Sequence, residues 1–321
     1  MCVVNLMSVG DQQGMFKNLN ASVLGVSGRQ SELIELAMTY GFKGLDIDLG
    51  DLVKRTQRAS FERAAKYLES AKMQIGSFEI TVDLDADDAA FAKALASFVV
   101  AAEIAGKAGA TIGNLRVPAA TDRLPYHEFF EVVRKRIDQI AEVAGQHSIR
   151  VGLYFSAAIE NREGKQFAFV KDAEGYLALF KACSASNVGL TIDTWNWTVG
   201  GGTIAQLASV PVNRILGLRL ADASEGIDFA TASITQRIMP AAQGVVDNVG
   251  IVTQLSKMGY DGPMAAYGHM SVVAGMTRDA IVSLAQDSID AVLSTAGLPT
   301  YTRKPELIGE STAPVFAEIE A

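Results

Sequence analysis

Asp193 closes the run VGLTID and is followed at once by Trp195, Asn196, Trp197 and the glycines Gly200, Gly201 and Gly202. A carboxylate in that position can take a proton, hold a cation or cap the next helix. Three neighbouring apolar runs, IRVGLYFSA, RILGLRLAD and GPMAAYG, carry Tyr154, Arg219 and Tyr267 near their ends. Side chains alternate along a strand, which splits each run into two faces. Leu190 and Ile192 oppose Thr191 and Asp193; Leu216, Leu218 and Leu220 oppose Gly217 and Arg219; Val151, Leu153 and Phe155 oppose Gly152 and Tyr154. With the large apolar face against outer helices, Tyr154, Asp193, Arg219 and Tyr267 point inward together at the C-terminal strand ends. Glu79, Asp46 and Asp48 share that inward parity on two earlier runs. The chemistry expected of the set is proton transfer by Asp193 or Glu79, with Arg219 stabilising developing negative charge.

Each residue also has a plainer reading. An inward arginine needs a partner to offset desolvation, so an Asp193–Arg219 ion pair stands beside a role in gripping ligand. Arg116 either binds a substrate carboxylate or phosphate or pairs with Glu79. Trp195 and Trp197 either stack on sugar C–H faces or pack in the interior. His269 follows the last run and can reach the mouth, whereas His127 and His147 read as surface groups. The three glycines lack the Lys and Ser/Thr companions of a phosphate loop, so a flexible loop is the favoured reading.

Positioning these residues takes a regular scaffold. Strand-like runs NASVLGVS, GLDIDLG, IGSFEITVD and GATIGNLRVP precede the four above and alternate with helical stretches. The helical stretches include SELIELAMTYG, residues 52–73, 87–109, 129–147 and 173–186, and two near the C-terminus; a further helix around Thr203 to Ala208 is short. Gly41, Gly109 and Gly259 mark helix ends, and Asp85 and Asp172 helix starts. Eight strand–helix pairs predict an α/β fold, a closed parallel (β/α)8 barrel, with a doubly wound open sheet as the alternative. The expected division is an N-terminal extension over 1–17, one barrel domain over 18–297 and a tail over 298–321 that either wraps the barrel or crosses to a second copy in a homo-oligomer.

Composition narrows the function classes. The chain has 321 residues, 49% hydrophobic and 20% charged, which suits a packed globular protein. A net charge of -8 without a basic run argues against nucleic acid and anionic membrane surfaces as partners. The N-terminus lacks the positive region and cleavage site of a secretion signal, and charged residues or glycine interrupt every candidate membrane span. Two cysteines, Cys2 and Cys183, stand far apart and suggest neither disulfides nor a zinc site, which fits a reducing cytoplasm.

Several segments together carry a family resemblance: GSFEITVDLDADDAAF, RVPAATDRLPY, IRVGLYFSA, NVGLTIDTWNWTVGGG, ILGLRLADA and GYDGPMAAYG. Over about Ser22 to Met270 the chain resembles the sugar phosphate isomerase/epimerase group of xylose isomerase-like TIM barrels, which includes inositol-catabolism and hydroxypyruvate isomerase-type enzymes. The resemblance implies a divalent metal such as Mn, Mg, Co or Zn held by a Glu on strand five, an Asp or Glu on strand six, a His on strand seven and a Glu on strand eight. Here those positions read Tyr154, Asp193, Arg219 and Tyr267, so one ligand of four remains. The family's D-[ST]-[WF]-H-W reads Asp193-Thr194-Trp195-Asn196-Trp197, losing a His, and its P-G-E-T-G-V-I-D reads Pro240-Ala241-Ala242-Gln243-Gly244-Val245-Val246-Asp247, losing a Glu. Two Glu, one Asp, a neutral His and a divalent cation sum to about -1, whereas Asp193 with Arg219 sums to about 0. Arg219 is therefore expected to replace the metal's charge, with Tyr154 and Tyr267 either filling the vacated space or acting as acid–base groups. The expectation is a metal-independent isomerase- or epimerase-like barrel that binds or transforms a small carbohydrate or polyol, with or without a phosphate. Its alternative is a non-catalytic paralogue serving as a ligand- or protein-binding scaffold. No cofactor is expected.

Overall fold

The computed structural model describes residues 14–71 and 73–303. Eight parallel strand positions form the inner wall: β1 (Phe16–Leu19), β2 (Gly44–Leu45), β3, β4 (Ile112–Arg116), β5 (Arg150–Tyr154), β6 (Val188–Asp193), β7 (Ile215–Leu220) and β8 (Pro263–Ala266). Strand β3 is split into Gln74–Ile75 and Phe78–Glu79. Its first piece pairs with β2 and its second with β4, so the order β2-β1-β8-β7-β6-β5-β4 closes on itself through β3. Ile47 N–H donates to Ser77 O at 3.0 Å and carries the pairing past the break. The closed barrel read from the strand–helix rhythm is thus observed, and the open-sheet alternative is not.

The helices are α1 (Gln30–Thr39), α2 (Leu49–Arg58), α3 (Phe61–Ala71), α4 (Asp88–Lys107), α5 (Tyr126–Gly145), α6 (Ala173–Ala182), α7 (Thr194–Val199), α8 (Ile204–Ala208), α9 (Asn248–Met258) and α10 (Arg278–Thr295). Asp48, Asp87, Asp172, Asp193 and Asp247 each cap a helix by accepting a backbone N–H of its first turn. The α4 cap is Asp87 rather than Asp85. Gly259 ends α9 in the left-handed region at φ 82°, a conformation that costs glycine little. The single helix read over 52–73 is two helices, broken at Ala59 (φ −134°, ψ −94°). Leu153, Leu190, Ile192 and Leu218 are buried in one core that also takes in Ile137, Leu255 and Ile289 of the helical ring.

Strand β1 differs from expectation. It is FKNL, reaching into the segment expected to be an extension, whereas NASVLGVS is mostly turn. Two polar residues disguise it, and both have partners. Lys17 faces outward and its buried ammonium bonds both carboxylate oxygens of Asp290 on α10, at 2.9 and 3.0 Å, as well as Tyr301 O. Burial lowers the Lys17 pKa, and Asp290 counters that. Thr302 Oγ1 donates to Asp290 Oδ2 at 2.6 Å, and Arg303 exchanges hydrogen bonds with Gln286 at 2.9 and 3.0 Å, so residues 301–303 strap onto α10. That part of the tail wraps the barrel; residues 304–321 lie outside the described residues. Helix α4 corrects a second expectation. With 20 residues and a mean hydropathy of 1.6 it is long and apolar enough to span a membrane, yet it sits in the helical ring against α2 and α5.

Removing one partner of a buried ion pair strands the other charge. Asp290→Ala is expected to lower the urea-unfolding stability by about 3 kcal/mol. A midpoint equal to that of the unmodified chain would contradict the role given to the Lys17 pair.

Candidate functional site

Strand register brings the inward residues together at successive steps of the C-terminal mouth. Arg116 pairs with Tyr154, Arg219 with both Asp193 and Ala265, and Glu79 with Asn114 one step below. Arg219 is the centre. Its guanidinium carbon lies 4.3 Å from the ring centroid of Tyr154 and 4.6 Å from that of Tyr267, so two aromatic faces clamp it. Its Nη2 donates to Glu79 Oε1, and Tyr154 Oη donates to Glu79 Oε2 at 2.9 Å. Arg219 is 4% exposed, while the Glu79 side chain keeps 43% of its surface in solvent. Burial opposes the arginine's charge, but Tyr267, Glu79, Tyr154 and Asp46 together outweigh it and hold the group protonated. Burial also raises both tyrosines, Tyr267 to about 12 and Tyr154 further, which leaves neither able to act as a base at neutral pH.

The Asp193–Arg219 ion pair is therefore not formed, although the two are register partners. Asp193 instead pairs with Arg237, at 3.0 Å from Oδ2 and 3.2 Å from Oδ1, with both side chains almost fully buried. Arg237 arrives on a small antiparallel hairpin, Asp222–Ala223 with Arg237–Ile238, that follows β7. Its guanidinium lies 5.1 Å from the Trp195 ring and 5.4 Å from the Tyr267 ring. Reading strand faces could not find Arg237, because it sits in a long loop. The available signal was the Ser233-x-x-Gln236 capping box immediately before it, which marks an ordered turn.

Each residue of the DTWNW segment has a structural task. Asp193 accepts from Asn196 N at 3.0 Å and caps α7. Thr194 Oγ1 accepts from Ala221 N at 3.0 Å and bonds Asn248 Oδ1 at 2.8 Å. Asn196 Oδ1 accepts from Ala157 N at 2.9 Å and holds the loop after β5. Trp195 and Trp197 are fully buried, which corrects their reading as sugar-stacking rings: the cap turns the chain inward at once and carries both beneath the surface. Gly202 lies on the Trp197 ring, where a Cβ would fall 2.4 Å from it, so close packing explains this glycine better than a flexible or phosphate-binding loop does.

Arg116 donates to Asn161 rather than to Glu79, and it is exposed. His269 Nδ1 lies 2.7 Å from Ser271 Oγ, and its backbone N–H donates to Arg237 O at 3.0 Å, so it borders the mouth without entering the charge network. Asp48 is exposed and caps α2. Asp46 faces the interior and accepts from Asn18 Nδ2, Asn20 Nδ2 and Ser77 Oγ, all at 2.8 Å. Burial pushes its carboxyl up to about 6 despite those bonds and the nearby Arg219. Loops after β5 and β7 lock over this floor: Ile159 N donates to Ala232 O at 2.9 Å, Arg162 Nη2 to Ala230 O at 2.7 Å, and Ser233 Oγ to Glu160. The loop Pro240 to Asp247 seats on Asp222, whose Oδ1 accepts from Val246 N at 2.8 Å.

The four positions that the resemblance assigns to a divalent metal do not fit one. Tyr154, Arg219 and Tyr267 offer no carboxylate or imidazole, both oxygens of Asp193 are taken by Arg237, and the guanidinium fills the space between the rings. Among the described residues no group of three or more His, Cys, Asp or Glu is arranged to hold a metal ion.

Two predictions follow from these charges. Asp46 has a folded pKa above its unfolded value, so the native state binds the proton more tightly and loses stability as pH rises through about 4 to 6, by on the order of 3 kcal/mol. The stability difference between Asp46→Asn and the parent chain should shift by that amount in favour of the variant from pH 4 to 7; a difference constant with pH would contradict it. Arg237→Ala strands Asp193 and should cost about 3 kcal/mol, part of it recovered in the Asp193→Ala/Arg237→Ala double variant. Additive losses in chemical denaturation would show that the two side chains do not depend on each other.

Known proteins share this architecture. The model of the family described as xylose isomerase-like TIM barrel matches residues 34–270. No curated protein matches the sequence significantly. Among solved structures, a xylose isomerase domain protein from Alicyclobacillus acidocaldarius superposes with a TM-score of 0.78 at 19% identity, covering 88% of this chain and all of its own. An IolI protein with a bound zinc atom gives 0.76 at 15% identity, over 88% of this chain and 99% of its own. A D-tagatose 3-epimerase-like protein gives 0.62 at 13%, over 88% and 98%. At these identities the likeness establishes the fold. With the family model matching well over half of its length, the chain belongs to the xylose isomerase-like TIM barrel family.

Proposed function

We propose that this barrel is a metal-independent member of its family that binds a small polyhydroxy ligand, a carbohydrate or polyol with or without a phosphate, at the C-terminal mouth. The observation that carries the reading is the Arg219 guanidinium, clamped between Tyr154 and Tyr267 and held by Glu79 at the strand ends where the family binds a metal. A fixed organic cation there repels a divalent ion and cannot lose its proton. The IolI relative carries zinc, whereas the donor set here is one already occupied aspartate. Ligand hydroxyls would meet Glu79, whose half-exposed oxygens each retain an acceptor site, and the exposed guanidinium of Arg116. Glu79 is the one carboxylate of the network open to solvent, so any residual proton transfer falls to it.

A second reading, a non-catalytic scaffold, is favoured by the engagement of both Asp193 and Glu79 with arginines and by the narrowness of the space beneath the mouth, about 20 Å³. One screen separates the two: thermal shift against sugars, polyols and their phosphates, with and without Mn²⁺. A ligand at a hundredfold excess over its Kd should add about 2.7 kcal/mol of stability, independently of the metal, and Arg219→Ala should abolish the effect. Stabilisation that requires Mn²⁺ would overturn the metal-independent reading, and no response across the panel would favour the scaffold.

A further inference from the structure

A one-way chain of hydrogen bonds crosses the barrel below the mouth. Thr191 Oγ1 donates to Asn114 Oδ1 at 2.6 Å, Asn114 Nδ2 to Ser77 Oγ at 2.8 Å, and Ser77 Oγ to Asp46 Oδ1 at 2.8 Å. Every donor in it points toward the carboxylate. Beside this chain two buried polar atoms have no partner among the described residues, Nη1 of Arg219 and Oδ1 of Asn18. One is a charged donor and the other an acceptor. Their residues are 4% and 2% exposed, and both border the same internal space of about 20 Å³, with Asp46, Thr191 and Ala265 also on its wall.

Leaving such atoms unsatisfied costs about 1–3 kcal/mol each, and more for a charged one. The Asn18 amide cannot relieve this by turning over, because its Nδ2 already donates to Asp46 Oδ1 and a flip would set oxygen against oxygen. The chemistry of the wall selects the occupant. A cation is opposed by Arg219, an anion by the Asp46 carboxylate, and an apolar atom satisfies neither free group. What fits is a small neutral molecule that both accepts and donates. A water needs about 10–15 Å³ and two to four polar partners, so the space admits one.

We propose that this space is a binding site for a single water molecule, which accepts from Nη1 of Arg219 and donates to Oδ1 of Asn18. The water completes the setting of the guanidinium, with tyrosine rings on two sides, Glu79 at Nη2 and the water at Nη1. This site is independent of what the mouth binds.

The test uses the whole chain. A high-resolution crystal structure should show one spherical density peak within about 3.2 Å of both atoms, with no anomalous peak there after a bromide soak. In solution, oxygen-17 relaxation dispersion should count one fewer long-lived internal water in Ala265→Val, whose added methyl groups fill the space, than in the parent. A dry space, a bromide peak or an unchanged count in the folded variant would each overturn the proposal. If the variant does not fold, the crystal of the parent chain decides.

Discussion

A guanidinium buried at the mouth of a barrel must be compensated on every side, and the arrangement around Arg219 follows from that requirement. Two tyrosine faces meet it flat, Glu79 accepts from one end, and Asp46 contributes negative charge from the interior. The same requirement explains Arg237. With Arg219 committed to Glu79, the buried Asp193 needs a cation of its own, and the hairpin after β7 brings one to it. The interlocking of the β5 and β7 loops through Ile159, Arg162 and Glu160 then fixes the hairpin that carries it.

The two ion pairs, Glu79 with Arg219 and Asp193 with Arg237, sum to zero on standard ionisation states, where the ligand set that the resemblance implies would carry about one negative charge with its metal. Under the proposed reading the exchange does more than alter the net charge. A metal offers open coordination positions to substrate oxygens, whereas a guanidinium between two rings has its faces covered and Nη2 committed to Glu79. Polarising a carbonyl gives way to hydrogen bonding by Glu79, Arg116 and the rim.

Much of this was legible in the sequence, because strand periodicity reports which way a side chain points. Parity alone sent Glu79, Tyr154, Asp193, Arg219 and Tyr267 to one mouth, and Arg219 there meets Tyr154, Tyr267 and Glu79 as neighbours. Parity does not report which partner an inward charge takes. Arg219 and Asp193 stand opposite each other on adjacent strands and still pair elsewhere, since Glu79 across the mouth and Arg237 from a loop compete for them. The tryptophans were misread for a related reason: a cap at Asp193 redirects the chain within one residue, and strand reasoning stops there. Strand β1 was misplaced because Lys17 and Asn18 break its apolar pattern, and their partners, Asp290 and Asp46, come from distant segments.

The claim that an organic cation stands where the family holds a metal meets its most direct test in crystals soaked with Mn²⁺ and measured for anomalous scattering. The account predicts no peak within coordination distance of Asp193 and Glu79, with the Arg219 guanidinium still between the rings of Tyr154 and Tyr267. A strong peak beside Asp193, with either arginine displaced toward solvent, would contradict it.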